Sequence, residues 1–224
     1  MKKLIQRLTD SSEFILVVTV AFGFFIAQSF FNVFGAEKTG ATLLTQGYLM
    51  QMVGLEIVCG FLALYILSAR GWTRAHLHLS ITLRETGHGI LLWLMDNCAY
   101  VIVIIFAAAL FGDGLFSGSE TILGDIDIWM VVLLSTLDPL YEEAFVSGYV
   151  IQALLKKHDP FFAITASAFI RLLFNFDAGP AAALFILPLG LLHGYVFWRW
   201  RRLWPLVVAH ALFNVMSLAL SLSG

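Results

Sequence analysis

Charge is scarce in this chain. Lys, Arg, Asp and Glu make up 12% of 224 residues while 60% are hydrophobic. A soluble domain carries about a quarter charged residues and about half apolar ones. The formal net charge is only −2, and no basic run or tail offers a footing for nucleic acid, so none is expected as a partner. Cysteine is nearly absent. Cys59 and Cys98 fall inside apolar stretches without CxxC spacing, which excludes a disulfide framework and a zinc ribbon and predicts two reduced core thiols. Low-complexity segments, internal repeats and lipidation motifs are missing too. What the chain has in excess is long apolar runs, and their natural partner is a lipid bilayer.

A span needs about 20 mostly apolar residues. Seven segments qualify approximately: 14–34, 47–68, 89–111, 128–155, 160–176, 180–199 and 203–222. The start, MKKLIQRLTDSSEF, resembles the n-region of a signal peptide, but the run from Phe14 to Phe34 is too long for an h-region and reads as an uncleaved first helix. The fourth segment holds Pro139, which removes a helical N–H and predicts a kink. Every second loop is basic: Lys2, Lys3 and Arg7; then Arg70, Arg74 and Arg84; then Lys156 and Lys157; then Arg199, Arg201 and Arg202. The opposite loops carry Lys38 alone among bases, and Asp113, Glu120, Asp125 and Asp127 crowd one of them. The positive-inside rule then gives an all-α, polytopic bundle of about seven helices, amino terminus cytoplasmic, in the cell's inner membrane. Residues 1–127 form an amino-terminal three-helix region, and 128–224 hold the residues of chemical interest, within one integral membrane domain.

An ionisable side chain in hydrocarbon costs at least a few kcal/mol, so each is a candidate for function. They are Glu56, Asp96, Asp138, Glu142, Glu143, Arg171, His193 and His210. On a regular helix Ser135, Asp138, Glu142 and Tyr149 share a face, while Glu143 points about 100° away toward other neighbours. Glu142 and Glu143 read equally well as a general acid or base and as a structural pair joining helices. His210, Asn214, Ser217 and Ser221 form a second stripe, and Ser167, Arg171 and Asn175 a third. A lone imidazole is more often a satisfied core residue than a catalyst, but three stripes suggest one polar chamber. His210 and Asn214 could donate to an oxyanion there. Glu56 and Asp96-Asn97 read as helix-to-helix hydrogen bonds. His76 and His78, on a basic loop without a third ligand, do not make a metal site.

The order and flanks of these residues resemble the CPBP intramembrane proteases, which include the type II CAAX prenyl endopeptidases. That family has EExxxR, then a Phe- or Arg-led xxxH, then HxxxN or HxxxD near the carboxyl end. The resemblance covers roughly 128–220. Glu142 and Glu143 match the first motif, but Ser147 stands at its arginine. RLLFNFDAGP resembles the RLLYHxxxGP of a bacterial branch, with Arg171 and Gly179-Pro180 matched and Asn175 at the histidine. The third motif, His210 to Asn214, is intact.

The resemblance implies an intramembrane endopeptidase acting on a membrane-embedded or lipidated peptide. Glu142 would polarise the water, Glu143 would orient the site, and His210 with Asn214 would stabilise the oxyanion. The second-motif histidine normally helps hold the water and in some accounts binds metal. Asn175 can hydrogen-bond water but takes no proton and ligates zinc poorly, so no cofactor is assigned and zinc is the weaker reading. Two residues could compensate. Arg171 could pair with Glu143 in place of an arginine at 147, or serve as counter-ion to Asp177; His193 could stand in for the missing imidazole, or be an interfacial histidine. The alternatives are a non-catalytic scaffold that keeps the chamber as a peptide slot and, in a third class, a transporter component.

Overall fold

The computed structural model describes residues 2–35, 42–112, 121–124 and 126–223. The loop charges Lys38, Asp113, Glu120 and Asp125 lie outside the described residues. Helices begin where a capping side chain precedes an apolar run. After a short α1 (Lys2–Ile5), α2 (Asp10–Phe34) starts at Thr9, whose hydroxyl accepts from the Ser12 N–H. A three-residue β1 (Thr42–Leu44) leads into α3 (Gln46–Ala69), capped by Thr45, and α4 (Leu83–Phe111) is capped by Thr82. Each such cap is worth about 1 kcal/mol. A short β2 (Thr121–Leu123) pairs in parallel with β1 and precedes α5 (Ile128–Glu142). This helix continues through a π-helical segment, Glu143–Ile151, into α6 (Gln152–Leu154). Then come α7 (Pro160–Phe174), capped by Asp159, α8 (Gly179–Trp200) and α9 (Trp204–Ser223).

The segments read from the sequence all appear as helix, within a few residues at each end. Four helices, Asp10–Phe34, Gln46–Ala69, Leu83–Leu110 and Ala182–Trp200, are long and apolar enough to cross a bilayer. Of the others, α5 passes into a π-helical segment and α7 has 15 residues, about 22 Å at 1.5 Å per residue, against a hydrocarbon thickness of about 30 Å.

Large apolar side chains point outward along these helices, among them Phe31, Phe61, Ile102, Phe106 and Phe161. That inverts the soluble pattern and is what acyl chains require. Cys98 belongs to this outer surface, and Cys59 is half-buried. The expectation of two core thiols is therefore corrected: α4 turns the Cys98 face toward lipid and keeps Asp96 inside.

Helix contact relies on small residues, as it must where lipid is as apolar as leucine. A Cβ on Gly89 of α4 would sit 2.5 Å from the Val208 side chain of α9, and one on Gly190 of α8 would sit 3.1 Å from Ala168 of α7. These two approaches press α4 and α8 into the carboxyl-terminal helices, so the amino-terminal region and the rest share one bundle.

Loops grouped by charge in the sequence are also grouped by contact. Arg70 meets Glu13 at 2.6 Å and Asp10 at 3.5 Å. The Lys156 ammonium lies 4.9 Å over the Trp72 ring. The Leu203 N–H donates to the His78 carbonyl at 3.2 Å, and Arg202 pairs with Glu85. At the other end Ser29 and Asn32 hold Asp177, and Gln46 holds Asp127.

Candidate active site

The site begins with a departure from α geometry. The ring of Pro139 clashes with the carbonyl of the residue four back and removes a donor. One turn on, the Glu143 N–H is shared between the Leu140 and Pro139 carbonyls. The next nine residues, Glu143–Ile151, are π-helical and fully buried except Ala144. π-turns of this kind are uncommon and recur at functional sites. The wider turn breaks the expected stripe. Tyr149 leaves the face of Asp138 and Glu142 and instead packs on Phe14 and Trp72, its hydroxyl 3.4 Å from Glu13.

Within this frame Glu142 and Glu143 share a neighbour, contrary to the 100° separation of a regular helix. Arg171 of α7 bridges them, Nη1 donating to Glu142 Oε2 at 3.1 Å and Nη2 to Glu143 Oε1 at 2.8 Å. The guanidinium fork suits two carboxylates better than any other cation would. Asp177 takes Ser29 and Asn32 as partners, so the counter-ion role read for Arg171 toward it does not arise.

Glu143 is wholly buried and collects three further donors. Ser147 Oγ donates to Oε2 at 2.7 Å. His193 Nδ1 and His210 Nδ1 face Oε1 at 3.1 and 3.2 Å. Oε1 takes three of the four contacts and Oε2 takes Ser147 alone. Ser147 thus keeps a hydrogen bond at the position where the resembling motif has arginine, and the charge arrives from another helix.

His193 also reaches Asp96 on α4, Nε2 to Oδ2 at 3.1 Å. With both carboxylates ionised, each ring nitrogen must carry a proton, because carboxylate oxygens only accept. The interfacial reading of His193 is corrected accordingly: it is buried between α4 and the π-segment. Asp96 Oδ1 and Arg171 Nε are buried with no partner among the described residues.

Glu142 differs from its neighbour. Among the described residues its hydrogen bonding is the single contact from Arg171, and its side chain is 14% exposed against 0% for Glu143. One carboxylate oxygen therefore stays open. Beside it, Asn214 Nδ2 donates to Asp138 Oδ2 at 2.9 Å. Asp138 also lies close enough to Glu56 of α3 for the two carboxyls to interact.

The contacts are distributed differently from the expected ring around Glu142. His210 bonds to Glu143, Asn214 to Asp138, and Asn175 Nδ2 to the Arg171 carbonyl at 3.0 Å. Asn175 closes the end of α7, so its amide is engaged by backbone. Ser167 donates to the Val146 carbonyl at 2.9 Å and fastens α7 to the π-segment. Asn97 donates to Trp93 on its own helix rather than across helices. His76 serves as a cap, its Nδ1 accepting the Thr73 N–H at 2.9 Å.

The donors present do not suit zinc. A guanidinium sits between the two glutamates, and Asn175 is tied to backbone. Among the described residues no three His, Cys, Asp or Glu side chains are disposed to hold a metal ion.

The Asp96–His193–Glu143 chain and the Glu56–Asp138 pair escape a sequence reading. Each acid stands out by its misplacement in apolar sequence, but the pairings run across 50 to 97 positions and carry no local signal.

No curated protein and no solved structure matches the chain. Residues 124–216 match the family model described as type II CAAX prenyl endopeptidase Rce1-like. That range contains Glu142, Glu143, Ser147, Arg171, Asn175, His193, His210 and Asn214, so this part of the chain is similar to an Rce1-like type II CAAX prenyl endopeptidase domain, and several long apolar helices make the chain a multi-pass membrane protein.

Proposed function

We propose that this protein is an endopeptidase of the inner membrane in which Glu142 activates water against a peptide bond of a lipidated substrate. The observation that carries the reading is the asymmetry of the two glutamates. Glu143 is wholly buried and engaged by four side chains, whereas Glu142 is partly exposed, is held by one arginine contact and keeps an oxygen open. A base must have a free lone pair within reach of the water it deprotonates. Glu143 is then the anchor that fixes Arg171, His193 and His210 around the site.

The remaining roles follow from unused donors. His210 spends Nδ1 on Glu143 and has Nε2 without a partner among the described residues, and Asn214 uses one amide N–H on Asp138. Asn214 retains an amide N–H for the tetrahedral oxyanion, and His210 offers Nε2–H to it in the imidazolium form, each worth a few kcal/mol in the transition state. The departure at Ser147, which motivates a scaffold reading, is met by Arg171, and the open oxygen of Glu142 favours hydrolysis. The family's name points to prenylated peptides as the substrate class. We further propose seven spans with a cytoplasmic amino terminus, residues 1–127 bracing the catalytic helices of 128–224.

The test is cleavage of a farnesylated peptide with a carboxyl-terminal CAAX sequence by protein purified in detergent. Glu142→Gln is expected to reduce the rate by about a thousandfold or more. Undiminished cleavage by that variant would remove Glu142 from the chemistry.

A further inference from the structure

At the basic end of the bundle, α4, α8 and the start of α9 enclose a cavity of about 440 Å³. Its rim carries Arg84, His88, Arg199 and Arg202, and its wall below is apolar, with Leu91, Leu92 and Met95. The two levels differ in solvent. Leu91 and Met95 are exposed on the outer face of α4, where acyl chains lie, and the arginines sit one to three turns nearer the helix ends. Among the described residues no acid lines it, and Arg202 is paired with the neighbouring Glu85. Arg84 and Arg199 make no ion pair among the described residues, so two guanidinium groups from separate helices are left facing the same opening. Trp200, more than half exposed, stands beside them at the level where tryptophan favours the membrane interface.

We infer that this cavity binds an anionic phospholipid, its phosphate held between Arg84 and Arg199 and an acyl chain lying along Leu91 and Met95. Charge above and hydrocarbon below match an amphiphile whose two halves have the same division. A free phosphate would leave the apolar wall unused, and a zwitterionic headgroup would bring its own cation to the arginines. Basic clefts between helices on the positively charged side are suited to such headgroups. The site is separate from the carboxylate network, so its test is independent of the proteolytic reading.

Native mass spectrometry of the full protein in detergent, titrated with dioleoyl-phosphatidylglycerol or dioleoyl-phosphatidylcholine, measures it. Phosphatidylglycerol is expected to bind at least about tenfold more tightly than phosphatidylcholine. Arg84→Gln/Arg199→Gln should weaken phosphatidylglycerol by about thirtyfold, given roughly a fivefold contribution per basic residue, while its melting temperature in detergent stays unchanged. A Lys2→Gln/Lys3→Gln control, with the same charge removed elsewhere, should bind as the parent does. The proposal fails if the arginine pair can be replaced without loss, if the lysine control loses as much, or if millimolar inorganic phosphate displaces the lipid, which would mark a simple anion site.

Discussion

Alanine at Glu143 and glutamine at Glu142 should break the protein in different ways, although the residues are adjacent. Removing the Glu143 carboxylate strips the acceptor from Arg171, His193, His210 and Ser147 inside a site with no exposure. The four bonds do not simply add, because Arg171 keeps its contact with Glu142 at 3.1 Å and the others relax together. Breaking one buried ion pair typically costs 3–5 kcal/mol, since the abandoned charge stays buried, so Glu143→Ala is expected to lose about 3–5 kcal/mol. For a chain of this size each kcal/mol shifts the melting temperature by about 2–4 °C, giving a drop of roughly 6–20 °C. Glu142→Gln keeps an amide oxygen for Arg171, and the partly exposed position tolerates the change. It should lose less than about 2 kcal/mol while abolishing cleavage. Thermal unfolding in detergent with a fluorescent reporter, run beside the peptide assay, reads both quantities. Equal destabilisation by the two variants, or a stable Glu143→Ala that still cleaves, would refute the division into anchor and base.

The other predictions concern the two positions where the resembling motifs are not met. Asn175→His should leave cleavage within about threefold of the parent and lower stability by about 1 kcal/mol, because the asparagine amide closes α7 on the Arg171 carbonyl; a tenfold gain in rate would instead mean that the chamber lacks an imidazole. Arg171→Ala should destabilise by about 3–5 kcal/mol, as it leaves two glutamates uncompensated. Ser147→Arg/Arg171→Ala should recover about 2 kcal/mol of that by returning the cation from position 147. A double variant no more stable than Arg171→Ala would show that the two positions are not interchangeable sources of charge.

The sequence alone determined where the helices run and which side chains are out of place among them. Both follow from one physical fact: a bilayer penalises every unpaired polar group, so apolar length marks the spans and each stray carboxylate or imidazole marks a site. Glu142, Glu143, Arg171, His193 and His210 were legible for that reason. Only the tertiary structure decided their partners. Pro139 and the π-turn after it change the angular step per residue, so a helical wheel assigns Glu143 and Tyr149 to the wrong neighbours. The pairing of Arg171 with both glutamates, of His193 with Asp96, and of Asn214 with Asp138 depends on how α4, α7, α8 and α9 pack, through glycines such as Gly89 and Gly190 that permit close approach. The difference between the two glutamates, one wholly buried among four partners and one open, comes from how neighbours gather in space, and no spacing along the chain encodes it.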